Sequence, residues 1–423
     1  MSAPHLVIRR ADWFGREKDL LMADGRVLEL ADHDPARSFG DAEVVEAHGA
    51  VLLPSLVDAH VHLREPGFEY KEDIASGLKA AARGGFGRVM AMANTSPVND
   101  NADVTEAMLD TARRAHPDGP FLHPVGALTR GLKGEELSPM ADMAQAGCIA
   151  FSNDGLPMAS AAFFRKAVEY AATFNRPVID HCENPTMNPG CGVNEGEVSS
   201  RLGLRAQPWV AEAEQVARDC LLAEFLGLPI HLAHVSCRAS VDCIRTAKAR
   251  GAPVTAETCP HYLTLTESSV EGYNTLAKVN PPLRTDEDVA ALKAALADGT
   301  IDILATDHAP HADHEKETEF EAAPCGISGL ETAMSLTWPL VESGLIDRER
   351  FADLWRHRPA ELFGLEPVRL EPGDAADCIL FDPSAGWTPS PDSLVSKGKN
   401  TPFRDTPLKG RVTAHVLGGV RVF

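Results

Sequence analysis

The chain has 423 residues, 44% of them hydrophobic and 24% charged, with a net charge of −21 at neutral pH. That composition excludes a mainly disordered state, the acidic balance excludes nucleic acid or an anionic membrane as the main partner, and no apolar run approaches the roughly 18 residues of a membrane span. Residues 1–10 lack the basic start and long apolar stretch of a secretory leader, and the nine cysteines show no CxxC spacing, so buried thiols in a cytoplasmic protein are expected rather than disulfides or a thiolate zinc site.

Short β segments are predicted at 6–8, 20–22 and 27–30, separated by turn-formers such as Asp24-Gly25. The last sixty residues repeat the pattern at 376–382, 412–417 and 420–423, with Gly418-Gly419 marking a hairpin. Neither block is large enough to fold alone, so one composite β-sandwich domain from residues 1–53 plus 366–423 is expected. Between them, strands are predicted at 51–62, 88–93, 122–127, 148–152, 177–181, 229–235, 254–258 and 301–306. Helices are predicted at 72–83, ending at Gly84-Gly85, and at 212–226, 238–250 and 286–298. Eight βα units point to a (β/α)8 TIM-type barrel over 54–365. A doubly wound open sheet is the runner-up, and no GxGxxG follows the first strand.

The predicted strands end in metal-binding chemistry. His60 and His62 are two apart on strand one and share a face, with Asp58 behind them. Strand four ends at Asp154, strand five at His181, strand six at His234 and strand eight at Asp307. The C-terminal mouth of a barrel is where active sites are built. Six groups, His60, His62, Asp154, His181, His234 and Asp307, are therefore expected to converge on one or two ions, zinc being the simplest for N/O ligands without sulfur. His231 cannot share a strand face with His234 and is set aside. His123 is expected to be a satisfied core group, and packing is the reading for His261. His5, His33, His48, His116, His357 and His415 fall outside the pattern. Glu183 is either a group orienting a ligand or a solvated acid.

Asp58-Ala59-His60-Val61-His62-Leu63-Arg64-Glu65-Pro66-Gly67 resembles the signature of the dihydroorotases of the amidohydrolase superfamily. The resemblance continues through Met92 to Thr95, Phe151 to Gly155, Ala233 to Ser236, Lys278 to Arg284, Ala305 to His311, Gly326 to Thr332 and Ser396 to Phe403, in family order along nearly the whole chain. It implies a metal-bearing barrel beside a small β domain from both termini. The implied activity is the reversible hydrolysis of the cyclic amide of L-dihydroorotate to N-carbamoyl-L-aspartate in pyrimidine synthesis. By family motif, His60, His62 and Asp307 hold a first metal, and His181 and His234 a second. Many relatives bridge the two with a carboxylated lysine, where this chain has Asp154, as in the bacterial branch it resembles most.

The substrate implied carries a carboxylate. Arg64 follows the HxH by two residues and is expected on the same strand face, where a guanidinium grips a carboxylate with two hydrogen bonds. The resemblance adds Asn94 and His311 to that grip, Asn280 to the polar edge of the ring and Gly326 to a close backbone approach. Asp307 is expected to move the proton between attacking water and leaving nitrogen. The charged stretch 311–325 is either a solvated surface loop or an active-site lid. A homodimer and a complex with aspartate transcarbamoylase are further partners the resemblance allows. The rival readings are a hydantoinase- or allantoinase-type cyclic amidohydrolase, whose substrates lack this carboxylate arrangement, and a non-catalytic subunit that scaffolds aspartate transcarbamoylase.

Overall fold

The computed structural model describes residues 5–423; residues 1–4, which open the segment read for a secretory leader, lie outside the described residues. Eight parallel strands lie side by side in chain order: Leu56–Val61, Phe86–Ala91, Phe121–Ala127, Ala150–Ser152, Val178–Asp180, Ile230–Leu232, Val254–Thr258 and Ile303–Leu304. The ring is closed just past strand eight, where His62 N donates to His308 O at 2.8 Å and Val61 bridges His308. Helices Ile74–Gly84, Ala102–Ala115, Met140–Ala146, Ala161–Ala172, Val210–Leu226, Arg238–Ala249 and Asp286–Asp298 return the chain between strands. This is the expected (β/α)8 barrel. Its axis is filled by Ala59, Met90, Val125, Ala150, Ile179 and Ile303, with Phe363 packed into the same cluster.

Local chemistry sets these elements. In Ile74–Gly84 the buried residues Ile74, Leu78 and Ala81 recur at helical spacing, and Asp73 caps the start by accepting from Ser76 N at 2.7 Å, worth about 1 kcal/mol. The helix stops at Gly85, φ +89°. A Cβ there would meet Ile379 Cδ1 at 3.1 Å and Val412 Cγ2 at 3.2 Å, so glycine lets the helix end rest directly on the second sheet.

That second sheet draws on both ends of the chain. Its strands run in the order Val420–Arg421, Leu408–Leu417, Cys378–Trp387, Val51–Pro54, Leu6–Trp13, Arg16–Ala23 and Arg26–Asp32, and Glu43–Glu46 also pairs with Leu6–Trp13. Asp24 and Gly25 both have positive φ, as do Gly418 and Gly419, which suits the tight hairpins predicted there. Two expectations need correction. The run 51–62 is not one strand: Val51–Pro54 pairs antiparallel with Cys378–Phe381, and Leu56–Val61 opens the barrel. The switch falls at Ser55, whose N–H donates to Asp377 O while Leu56 N turns to Gly85 O. Both halves are fully buried, so hydrophobicity carries no mark of the change. The final strand is also shorter than 420–423, ending at Arg421.

One C-terminal segment leaves the sheet for the barrel mouth. There the Asn400 side chain accepts from His311 N at 2.7 Å and donates to Ala309 O at 3.0 Å and Gly326 O at 2.9 Å. Among the described residues no helix is long and apolar enough to cross a membrane, and the nine cysteines are all free thiols.

Candidate metal centre and active site

The six strand-end groups meet at the C-terminal mouth, and all are buried. His60 Nδ1 lies 2.7 Å from Glu257 Oε1, which turns Nε2 toward Asp154 Oδ1 at 3.4 Å. His62 Nδ1 donates to Asn94 Oδ1 at 2.8 Å, leaving Nε2 to face Asp307 Oδ1 at 3.1 Å. His181 Nε2 is held by Glu183 Oε2 at 3.0 Å, so its Nδ1 faces Asp154 Oδ1 at 3.4 Å. His234 Nε2 approaches the same Asp154 oxygen at 3.5 Å. Asp58 sits behind the pair as expected: it accepts from Thr306 N at 3.0 Å, Thr306 Oγ1 at 2.5 Å and His60 N at 3.2 Å. Burial outweighs those bonds and pushes its carboxyl up to about 7. His234 and Asp307 have φ of +33° and +46°, a backbone strain of the kind functional sites hold.

The chemistry of this donor set fits a cation. His60 Nε2, His181 Nδ1 and Asp154 Oδ1 are buried polar atoms with no hydrogen-bond partner, each an expense of about 1–3 kcal/mol unless something fills the gap between them. Two triads, His60–Asp154–His234 and His60–His62–Asp307, each bring their ligand atoms within 4.8 Å of one another. Burial works against charge on His60 and His181, yet Asp154 with Glu257 and Asp154 with Glu183 outweigh it, raising His60 well above its ordinary value and His181 to about 10. Burial alone would raise Asp154, but His60, His181 and His234 hold it well below the usual carboxylate range. The cluster thus favours positive charge between its members. A third group, Asp180, Cys182 and Asp219, already pairs with the Arg218 guanidinium, at 3.0 Å to Asp180 and 2.7 Å to Asp219.

Beside the cluster is a cavity of about 320 Å³, lined by His62, Arg64, Asn94, Asn280, Asp307 and Gly326 among others. Arg64 reaches it by a different route from the one expected. The strand ends at Val61 and Arg64 has φ +64°, so a turn, not strand alternation, aims the side chain, and Arg64 Nε donates to Pro310 O at 3.0 Å. Burial lowers its pKa to about 10, which leaves it charged at neutral pH. Asn280 Nδ2 donates to Glu183 Oε2 at 2.9 Å. Gly326 has φ +146°, and a Cβ there would stand 2.7 Å from Ala309 O, so no side chain fits.

His311 is buried behind Arg64 and is not part of the cavity wall. Its Nε2 donates to Cys325 O at 2.9 Å. Burial, with Arg64, Lys316 and Lys71 nearby, holds its pKa far below the ordinary value. His123 differs from its expected satisfied state: Nε2 is buried without a partner, and burial beside Arg88 and Arg356 lowers its pKa to about 4. His261 packs on Tyr262, ring centroids 4.1 Å apart. In the 311–325 loop, acids such as Glu317 and Glu319 face solvent while Lys316 and Phe320 are buried. Lys316 Nζ donates to Thr275 O, Lys278 O and Pro324 O at 3.1, 3.3 and 2.7 Å. The loop is clamped to the wall that carries Asn280.

Sequence reading missed Glu257 and Thr306. Glu257 carries a signal in hindsight, because a carboxylate in a strand buried on both faces must have partners inside.

Comparisons with known proteins now bear on this geometry. A family model described as "Dihydro-orotase-like" matches residues 49–240. A protein from Syntrophotalea carbinolica named "Dihydroorotase" is 48% identical over 401 residues, 95% of this chain and 93% of the relative. The chain belongs to the dihydroorotase family. A dihydroorotase of Geobacter metallireducens is likewise 48% identical, covering 96% of this chain and 95% of that relative. Family membership therefore spans the terminal sheet as well as the barrel. Among solved structures, L-hydantoinase (dihydropyrimidinase) from Arthrobacter aurescens aligns with a TM-score of 0.85 at 24% identity, covering 99% of this chain and 96% of that one. Dihydropyrimidinase from Brevibacillus agri gives 0.81 at 23%, covering 98% and 94%. At that identity these two share the fold with the dihydroorotase family member described here and establish no more.

Proposed function

We propose that the chain is a metal-dependent dihydroorotase, a hydrolase that opens the cyclic amide of L-dihydroorotate to N-carbamoyl-L-aspartate and closes it again, in pyrimidine synthesis. What carries the reading is a buried His/Asp cluster joined to a cavity with a charged guanidinium, in a chain 48% identical over 95% of its length to a named dihydroorotase. In this reading His60, His62 and Asp307 hold one ion, His181 and His234 a second, and Asp154 lies between. Zinc suits the donor set, with one or two ions per chain. A bound divalent ion supplies a Lewis acid for the ring carbonyl and lowers the pKa of water to about 7.

The chain's own residues do the rest. Burial would raise Asp307, but the His62 hydrogen bond and the nearby His60 hold its carboxylate below the usual range. It is ionised, ready to take the proton of the attacking water and pass it to the leaving ring nitrogen. Arg64 grips the substrate carboxylate in a bidentate fashion. Asn94, with its oxygen committed to His62, offers its NH2 to the same group. His311 joins them only if its ring turns away from Cys325 O. Asn280 and the Gly326 backbone meet the polar edge of the ring.

The test is ring opening of dihydroorotate followed in the ultraviolet, with elemental analysis of the bound ion and with hydantoin and allantoin as controls. Turnover of hydantoin or allantoin without dihydroorotate refutes the assignment, and absence of all turnover in ion-loaded protein favours the scaffold reading. Residues 1–53 with 366–423 and residues 54–365 are proposed as the two units. Nine free thiols support a cytoplasmic location. A homodimer and an association with aspartate transcarbamoylase are proposed from family resemblance, and light scattering with and without that enzyme tests both.

A further inference from the structure

Glu257 is 0% exposed. It stands on Val254–Thr258, where Thr255 and Glu257 share the face turned to the barrel axis. Its Oε1 accepts from His60 Nδ1 at 2.7 Å and from the backbone N of His234 at 3.3 Å. Its Oε2 lies 3.1 Å from His231 Nε2, and His231 Nδ1 is 2.8 Å from Thr255 Oγ1. One carboxylate on strand seven thus touches two proposed ion ligands, one on strand one and one in the segment just past the end of strand six. The touch on His60 fixes the ring orientation: with Nδ1 held by Glu257, Nε2 points at Asp154. The touch on His234 falls on the amide of a non-glycine residue at φ +33°, a conformation that needs outside support.

We infer that Glu257 is a positioning residue of the metal centre. It aims His60 and holds the His234 kink, while His231 and Thr255 brace the carboxylate from the opposite side. The inference rests on His60 and His234 being ion ligands, as proposed above. Carboxylates that accept from a ligating imidazole fix its orientation and raise its basicity, and their loss typically weakens metal binding 10- to 100-fold.

The test uses the ion-free full-length chain with zinc and cobalt as probes, in competition with a chelator, for the parent, Glu257→Gln and Glu257→Ala. Glutamine keeps the shape: its carbonyl still accepts from His60, and its NH2 donates to His231 Nε2 once the His231 proton sits on Nδ1 and faces Thr255. Melting of the ion-free proteins checks the fold, and if the alanine variant does not fold, the glutamine variant decides. The expected result is zinc affinity lower by about 10-fold in Glu257→Gln and about 100-fold in Glu257→Ala, with a shifted absorption band in the cobalt forms. Parent affinity and an unshifted cobalt band in folded Glu257→Ala overturn the inference, whatever happens to melting temperature, and where alanine does not fold the same pair of results in Glu257→Gln does so, since a neutral amide accepts less strongly from His60. A parent protein that binds neither ion overturns the metal centre itself, a different failure from the first.

Discussion

Asp307 stands at φ +46° with one oxygen 3.1 Å from His62 Nε2, and its ionised state depends on the imidazoles around it. Replacing it with asparagine keeps the volume and removes the proposed base. Asp307→Asn is expected to cut kcat by at least about 10²-fold, measured on protein whose ion content is first shown to match the parent. Arg64 is the second residue whose loss is specific. Lysine offers a point charge in place of a planar fork, so Arg64→Lys should raise KM for dihydroorotate about tenfold or more while bound ion is unchanged; a fall in ion content instead would mean that Arg64 props the cluster. The residues legible in the sequence are those whose chemistry repeats at one structural position. Histidines and acids end five predicted strands, and strand parity puts His60 beside His62. Arg64 reaches the cavity wall by a turn and not by strand alternation, since the strand has already ended at Val61. Glu257 stayed hidden because its partners His60 and His231 are 197 and 26 positions away, and nothing local announces such pairings.

At the level of elements, the repeated short apolar runs gave the barrel strands away, because each is buried on both faces and bounded by turn-formers. The same property hid the break at Ser55, where one buried run serves two sheets. The loop 311–325 shows the limit from the other side. Its charges fit a solvated loop as well as a lid, and in the structure Lys316 is 4% exposed and donates to three carbonyls. Lysine folds inward here because those carbonyls replace its water. Lys316→Met keeps the stem but leaves Pro324 O without its donor, an expense of about 1–3 kcal/mol if left unmet, while Thr275 O and Lys278 O keep the backbone donors Lys278 N and Gly326 N. The loop should then open: cleavage within 311–325 by a dilute protease is expected to quicken, and KM to rise through the loss of order at Gly326. Unchanged cleavage would show the clamp to be dispensable.

For the molecule as a whole, the question is how the terminal sheet is fastened to the barrel, and His415 is one of the fasteners. It lies on Leu408–Leu417, fully buried, with Nδ1 donating to Ala82 O of the first barrel helix at 2.8 Å and Nε2 accepting from Ser55 Oγ at 2.7 Å. Both contacts suit the neutral ring. Burial outweighs the pull of Ala82 O and Asp377 and lowers its pKa to about 4, against an ordinary value near 6.5. A base whose folded pKa lies below its unfolded value binds fewer protons when folded. Its contribution is therefore complete above about pH 6.5 and is lost as pH falls through 6.5 toward 4, by about 3 kcal/mol at most. His415→Asn can still donate to Ala82 O but does not titrate. Melting temperature should fall more steeply between pH 7 and pH 4.5 in the parent than in His415→Asn, after allowance for the constant offset from the lost Ser55 contact. Parallel curves would mean that the joint between sheet and barrel does not sense protons at this histidine, and that the acid sensitivity of the protein arises elsewhere, among its carboxylates and its other buried histidines such as His123.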